Sequence, residues 1–409
     1  MITRIAWRNI WRNKRRSWVL ITAVAAGFFA FLGGMSIVTS FEDQMLDNAV
    51  RFDGGHVQIA ADGYHENPNV RRAIDDPAPI AAALQGVPGI AHESLVQVDG
   101  MATSARRSLG VMITGVDPDA PVGTAHLRQS LVEGEMLGGT AEGRVLISTK
   151  LADQLSLEVG QRLVLMAADR TNEIQSAAFR IGGLFRTGQS AVDDRRVFVH
   201  HDDARQLAAY DTEVTSFAIF ADDEDALDAA VASITAALEE AGIATANLEI
   251  LTWQQRMGFL SAMYEVVDVF SVVLLIILFT AVALSLVNSF LMVIFERMRE
   301  LGVMMANGVR PGQIKRMLYL EASFIVSIGL AIGGALSVGL VAYFSGGMDL
   351  AMFAEGLGDF GVGSVLYPRI DMGDLLLGLI GIIVIVFLAI LYPARKAAQF
   401  EIVDALRHT

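Results

Sequence analysis

Cysteine is absent from all 409 residues. No disulfide can brace the fold, and thiol catalysis and thiolate metal sites are excluded. Charge is scarce too: 19% of residues carry it while 53% are hydrophobic, against roughly 25% and 45–50% in soluble domains. That imbalance points to a membrane protein. A nucleotide-binding loop is also missing. The stretch "GGTAEGR" (138–144) has the right glycine spacing, but Arg144 stands where lysine is required and no Ser or Thr follows. No Ser-His-Asp or paired-carboxylate spacing emerges either, so the chain reads as no enzyme by itself.

What is present is apolar run. Residues 17–41, 269–295, 322–348 and 375–394 contain no charge, and each reaches the ~20 residues needed to cross a ~30 Å hydrocarbon core as helix. Ala23-Val24-Ala25 resembles a signal-peptide cleavage site, but the apolar stretch before it is short and continues far beyond it, which favours an uncleaved anchor. Basic residues orient the spans. Arg4, Arg8, Arg12, Lys14, Arg15 and Arg16 precede the first; Arg297, Arg299, Arg310, Lys315 and Arg316 lie between the second and third; Arg395 and Lys396 follow the fourth. The positive-inside rule expects both termini and the 296–316 link in the cytoplasm, and residues 42–262 outside.

Residues 41–262 hold 33 acidic and 16 basic side chains. The acidity belongs to this external domain and gives no reason to expect nucleic acid as a partner. Strands are expected at 56–60, 94–98, 109–116, 144–148, 162–167, 179–185, 196–200 and 216–221, with helices at 79–87, 150–157, 202–210 and 223–242. Leu227, Val231, Ile234 and Leu238 form one stripe of the last helix. The order of elements between Arg196 and Leu251 suits a small sheet with helices on one face. Neither junction with the membrane, "FEDQMLDNAV" (41–50) or "TWQQRMGFLSAMYEVVDVF" (252–270), contains proline or a glycine cluster, so both flanking helices are expected to extend as stalks.

Two further motifs are weak. "GLGDFG" (356–361) has dinucleotide-binding spacing but no preceding strand, and reads as a loop. "HHDD" (200–203) suggests a metal, yet adjacent strand side chains point to opposite faces, and the Asp pair is better explained as the cap of the following helix.

The most distinctive segment is "ERMRELGVMMANGVRP" (296–311). Leu301, Met304 and Met305 fall on one apolar helical face, while Arg297, Arg299 and Glu300 remain polar. Gly308 is placed to stop the helix and Pro311 to prevent its continuation. The expectation is a short amphipathic helix at the cytoplasmic surface, read either as a solvated linker or as a knob whose flexible methionines fill a partner's groove.

With its continuation to Ala322, this segment resembles the cytoplasmic signature of the FtsX-like, MacB-type (type VII) permease family of ABC transporters. "YPARKAAQFEIVDALRH" (392–408) resembles the family's C-terminal signature, and "AWRNIWRNKRRSW" (6–18) its N-terminal interfacial helix. Asn307 departs from the pattern, where a larger apolar residue is usual.

The expected fold is an α-helical membrane protein with four transmembrane helices, one plus three, and a large α/β periplasmic domain inserted between the first and second. Its parts are the N-terminal helix (1–16), spans at 17–41, 263–295, 318–348 and 374–394, the periplasmic domain (42–262), the coupling helix and link (296–317), a periplasmic loop (349–373) and a cytoplasmic tail (395–409). Residues 296–409 form the FtsX-like permease domain.

The resemblance implies a multi-pass inner-membrane subunit that binds no cofactor of its own. A separate ATPase dimer holding ATP and Mg would dock on Arg297, Arg299, Glu300, Leu301, Gly302, Met304, Met305, Asn307 and Gly308. A second permease subunit would pair with the chain, and ATP-driven closure would be passed to the periplasmic domains. Within the family the domain size looks most similar to Lol-type permeases, which extract lipoproteins from the inner membrane and hand them to a periplasmic carrier. MacB-type efflux and regulation of a periplasmic partner stay open as alternatives. Phe28, Phe31, Met35, Met263, Val267 and Phe270 are candidates for lining an acyl-chain cavity, or else are ordinary lipid-facing and packing surface. The hairpin tip "ADRTNEIQSA" (168–177) lacks the proline-bearing extension a carrier hook would want.

Overall fold

The computed structural model describes the chain apart from Met1, Asn13, Asp53, Pro121, residues 223–225, Arg297, Ala351, residues 353–364 and residues 399–409. "GLGDFG" therefore lies outside the described residues, as does most of the C-terminal signature. Two compact units emerge: Met1–Phe41 with Tyr264–Met348 and Leu366–Thr409, and Glu42–Met263 with Asp349–Val365. The first is called here the membrane unit and the second the inserted domain.

The chain begins with α1 (Ile2–Arg12) and α2 (Lys14–Phe52). The inserted domain then contributes β1 (Val57–Ala61), α3 (Pro77–Gln85), β2 (Ile90–Thr103), β3 (Ser108–Val116), α4 (Gly123–Gln129), β4 (Leu131–Gly134), β5 (Arg144–Ser148), α5 (Thr149–Leu155), β6 (Arg162–Ala168), β7 (Ile174–Phe185), α6 (Ser190–Asp193), β8 (Arg196–His200), α7 (His201–Ala208), β9 (Ser216–Ala221), α8 (Leu227–Glu240), β10 (Leu248–Thr252) and α9 (Trp253–Arg256).

The sheet has two parts that share β2. Its first half pairs antiparallel with β9, which pairs with β1, which pairs with β10. Helices α3 and α8 pack on this four-stranded part and on each other, burying Ile80, Leu84, Leu227, Ile234 and Leu238. Of the predicted stripe on α8, only Val231 is left partly exposed.

The second half of β2 enters a ring of pairings. It pairs with β3, β3 with β8, β8 with β5, β5 with β7, β7 with β6, and β6 returns to β2. Six strands thus close into a barrel, which removes the exposed edges an open sheet would leave. Closure depends on Gly100, where a Cβ would lie 2.4 Å from the Met166 carbonyl oxygen on β6. Alternate residues Val96, Val98 and Ala102 are buried, as period-2 strand geometry requires.

This corrects the expected small sheet with helices on one face. Between Arg196 and Leu251 the strands divide, β8 going to the barrel and β9 and β10 to the four-stranded part. Local strand order cannot reveal this, because each barrel strand's partners lie far away in the chain.

The chain closes with α10 (Gly258–Glu296), α11 (Met298–Ala306), α12 (Pro311–Tyr343) and α13 (Met372–Ala398). Among the described residues α2, α10, α12 and α13 are long and apolar enough to cross a membrane. They share a core that includes Leu20, Phe28, Leu32, Phe279, Leu286, Phe290, Ile325 and Ile390. Glycines leave room for close packing between them. A Cβ on Gly329 or Gly333 of α12 would lie 2.7 Å from Val24 Cβ or 2.6 Å from the Ala25 carbonyl oxygen of α2, the small-residue packing that membrane helices use.

Helix α2 runs 39 residues without a break, about 58 Å at 1.5 Å per residue and far more than a ~30 Å core requires. It is the continuous stalk expected. On the return path α10 is equally long, 39 residues, but it begins at Gly258: the helix expected to continue from Thr252 breaks at Met257 (φ −108°, ψ 59°), leaving α9 as one turn before it.

Candidate coupling site

Helix α11 is nine residues long, the two to three turns expected. Gly308 ends it with φ +89°. The amides of Gly308 and Val309 donate to the carbonyls of Met305 (3.0 Å) and Met304 (3.1 Å), satisfying groups the helix leaves orphaned. Asn307 now has a local role: its Nδ2 donates to the Val303 carbonyl at 2.8 Å, so the residue that departs from pattern closes the helix end. Pro311 opens α12, and the amide of Arg310 donates to Gln313 Oε1 at 3.0 Å.

The apolar face is turned inward. Met304, Met305 and Val309 pack against the core of their own helix bundle. The outward side of α11 instead shows Glu300, Val303 (45% exposed), Ala306 and Asn307. A stripe at helical spacing does not say which body it packs against, and here the methionines of the expected knob lie, partly buried, against their own bundle. Arg297 lies outside the described residues, and Arg299, Leu301 and Gly302 are placed only as helix positions.

Helix α1 meets this segment directly. It seats Ala6 and Ile10 in the bundle core, sets Trp7 edge-on to Phe324 at 5.3 Å, and leaves Trp7, Trp11, Arg4 and Arg8 exposed. Tryptophans and arginines on one surface helix suit a membrane interface. Arg12 Nη2 reaches both carboxylate oxygens of Glu300, at 2.7 and 2.6 Å, tying α1 to α11. Sequence reasoning missed this tie, because the partners are 288 residues apart. It also did not single out Glu321, which is only 6% exposed in α12. An ionisable residue inside an apolar helix turns inward because hydrocarbon cannot solvate it.

The six candidate cavity residues do not behave alike. Phe28 and Phe31 are buried in the bundle, with Met35 packed beside them, and Phe31 lies 5.5 Å from Phe279 between ring centroids. These serve helix packing. Met263 and Val267 are partly exposed, and Phe270 is 59% exposed. In the inserted domain a cleft of about 660 Å³ is lined by Asp99, Met112, Gln154, Arg195 and Arg196. Its charges of both signs suit no acyl chain.

The remaining motifs resolve structurally. His200 ends β8 and its Nδ1 accepts from the Asp202 amide at 3.2 Å, so the histidine caps α7 rather than the Asp pair. Among the described residues no three His, Cys, Asp or Glu are placed to hold a metal. At the β6–β7 hairpin, hydrogen bonds from Gln175 and Thr171 hold the Asp169 carboxyl down to about 2. Arg170 pairs with Glu213 and Asp75 and lies over the Tyr210 ring, and Arg71 Nε donates to its carbonyl at 3.1 Å. The hairpin tip is pinned to its own domain.

Over residues 17–237 the chain matches the MacB-like periplasmic core domain, and over residues 271–402 the FtsX-like permease C-terminal domain. It belongs to the FtsX-like, MacB-type permease family of ABC transporters. Such permeases are normally not enzymes. The permease is 23% identical to the lipoprotein-releasing system transmembrane protein LolC of Neisseria meningitidis serogroup B, over 95% of this chain and 93% of that one. It is 22% identical to LolC of Xylella fastidiosa, over 97% and 96%. Among solved structures, the periplasmic region of MacB from Actinobacillus actinomycetemcomitans covers 54% of this chain, and 97% of that region is covered, with 12% identity and a TM-score of 0.36.

Proposed function

We propose that this permease couples ATP hydrolysis by a separate ATPase subunit to movement of its periplasmic core domain, and so releases lipoproteins from the inner membrane for delivery to the outer membrane. ATP and Mg are held by the partner; this chain supplies the membrane path. Both termini and α11 face the cytoplasm, and a second permease subunit completes the pair.

The single observation that carries the reading is the length of α2: one unbroken 39-residue helix leads from the cytoplasmic basic cluster through the apolar span to the start of β1. A stiff rod of that kind passes displacement, whereas a flexible linker would absorb it. Full-length similarity to proteins named for lipoprotein release supports the substrate class. The outward side of α11, with Val303, Ala306 and Asn307, is the docking face for the ATPase. The pinned β6–β7 hairpin supports the role of the pair member that does not recruit a carrier.

In cells depleted of the chain, lipoproteins are expected to remain with the inner-membrane fraction. A Val303→Asp chain, which would bury a charge at the docked face, is expected to reach the membrane but to lose both the ATPase on purification and lipoprotein release. Unchanged fractionation on depletion would exclude the lipoprotein reading, and an ATPase still bound by Val303→Asp would exclude docking on this face.

A further inference from the structure

The first and last strands of the 42–263 segment lie side by side. Strands β1 and β10 pair antiparallel, Val57 opposite Thr252, and the Trp253 amide donates to the His56 carbonyl at 2.9 Å. Just before β1, helix α2 ends in two left-handed glycines, Gly54 (φ +104°) and Gly55 (φ +78°), with the Gly55 amide donating to the Val50 carbonyl at 2.9 Å. Both glycines are needed here. A Cβ on Gly55 would lie 2.4 Å from the Ile219 carbonyl oxygen, and one on Gly54 would lie 2.9 Å from Arg256 Nη1.

Arg256 occupies space beside Gly54. It comes from α9, two residues before α10 begins. Its Nη2 donates to the Gly55 carbonyl at 2.8 Å, and its Nη1 to Gln58 Oε1 at 3.2 Å. Gln58, 2% exposed, passes the connection on by donating from Nε2 to Ser216 Oγ on β9 at 2.8 Å. One guanidinium from the outgoing segment thus grips the turn that ends the incoming helix, where a cation is favoured by the helix dipole. Phe52 also anchors this helix end, packing with Phe198 of β8 at 6.4 Å in a cluster that includes Phe185 and Leu127.

We propose that Arg256 is a positioning residue that locks the end of α2 to α9, the turn that leads into α10, in one rigid joint, so that displacement arriving along α2 or through α9 reaches β1, β9 and β10 together. The inference rests on the reading that helix movement drives the core domain. It does not depend on what is released.

The absence of cysteine makes the test direct. Asn48→Cys and Gln254→Cys place one spin label on α2 and one on α9 in the full chain, purified with its ATPase. Pulsed-EPR distances are compared for Arg256, Arg256→Gln and Arg256→Lys. Arg256 is expected to give one narrow distribution, Gln a broad one and Lys an intermediate one, because an amine can hold Gly55 but cannot fork to Gln58. With Gln, lipoprotein released per ATP hydrolysed should fall about tenfold, the scale of one lost charged hydrogen bond, with hydrolysis retained. A distribution that stays narrow with Gln overturns the joint, as does a broadened one with release per ATP undiminished. Should wild-type depletion leave lipoproteins correctly sorted, the substrate reading fails while the distance measurement still decides the joint.

Discussion

The two units solve packing in opposite ways. In the membrane unit, α10 and α13 expose large apolar side chains such as Val269, Phe270, Ile277, Ile380 and Phe387, and helices pack closely where glycines leave no room for a side chain. In the inserted domain most large apolar side chains are interior: Phe185, Phe217, Ile113 and Leu127 are fully buried. The solvents explain the difference. Water rewards burial of apolar area, whereas lipid is as apolar as the helix surface, so membrane helices gain from close fit at small residues.

Phe185→Ala should strike the inserted domain hardest. It would empty a fully buried site packed on Phe198 at 5.2 Å, and its expected cost of about 3–5 kcal/mol should appear in denaturant unfolding followed by fluorescence. Next comes Gly333→Leu, whose Cβ would strike the Ala25 carbonyl oxygen. Overpacking of this kind costs about 1–3 kcal/mol and should lower the thermal midpoint of detergent-solubilised protein. If the glycine change were silent, close fit would not be what holds the bundle.

Acid should separate the units further. His201 is pushed down to about 4, by burial first and then by Arg205, and His126 is also pushed down to about 4, by burial and then by Arg51. Both prefer to stay neutral in the folded state, so the unfolded chain takes up protons first as pH falls below 6.5. Their stabilisation is full above that value and is lost between pH 6.5 and 4. Burial raises the carboxyls of Asp193 and Asp203, which blunts the loss once they protonate. All six described histidines lie in the inserted domain. Its thermal midpoint should therefore fall by several degrees from pH 7 to 5; a flat profile would mean these histidines are solvated.

The smallest effect is expected at Arg12. Both members of its pair with Glu300 are half exposed, at 52% and 49%, so Arg12→Ala should change stability by no more than about 1 kcal/mol. A larger loss in thermal unfolding would show that α1 is held by this pair rather than by Ala6 and Ile10.

Much of this was legible in sequence, for local reasons. Charge-free runs announce spans because no charge is tolerated in hydrocarbon, and Gly308 and Pro311 bounded α11 because backbone chemistry stops a helix wherever it occurs. The strands from β5 to β9 were found through their alternating or β-branched runs. Missed were β4, α4 and α6, which are too short for a period to show, and the full 14-residue length of β2. At the candidate site the helix was readable but its outward side was not.

By itself, then, the sequence determined which stretches are long and apolar enough to cross a membrane, where its helices stop, and that no thiol chemistry belongs to it. These follow from the character of consecutive residues. Only the tertiary structure decided that six strands close into a barrel, that Met304 and Met305 face their own bundle, and that Arg256 grips the turn after α2. Each of these depends on groups far apart in sequence coming into contact, and such contact is set by the packing of the whole unit.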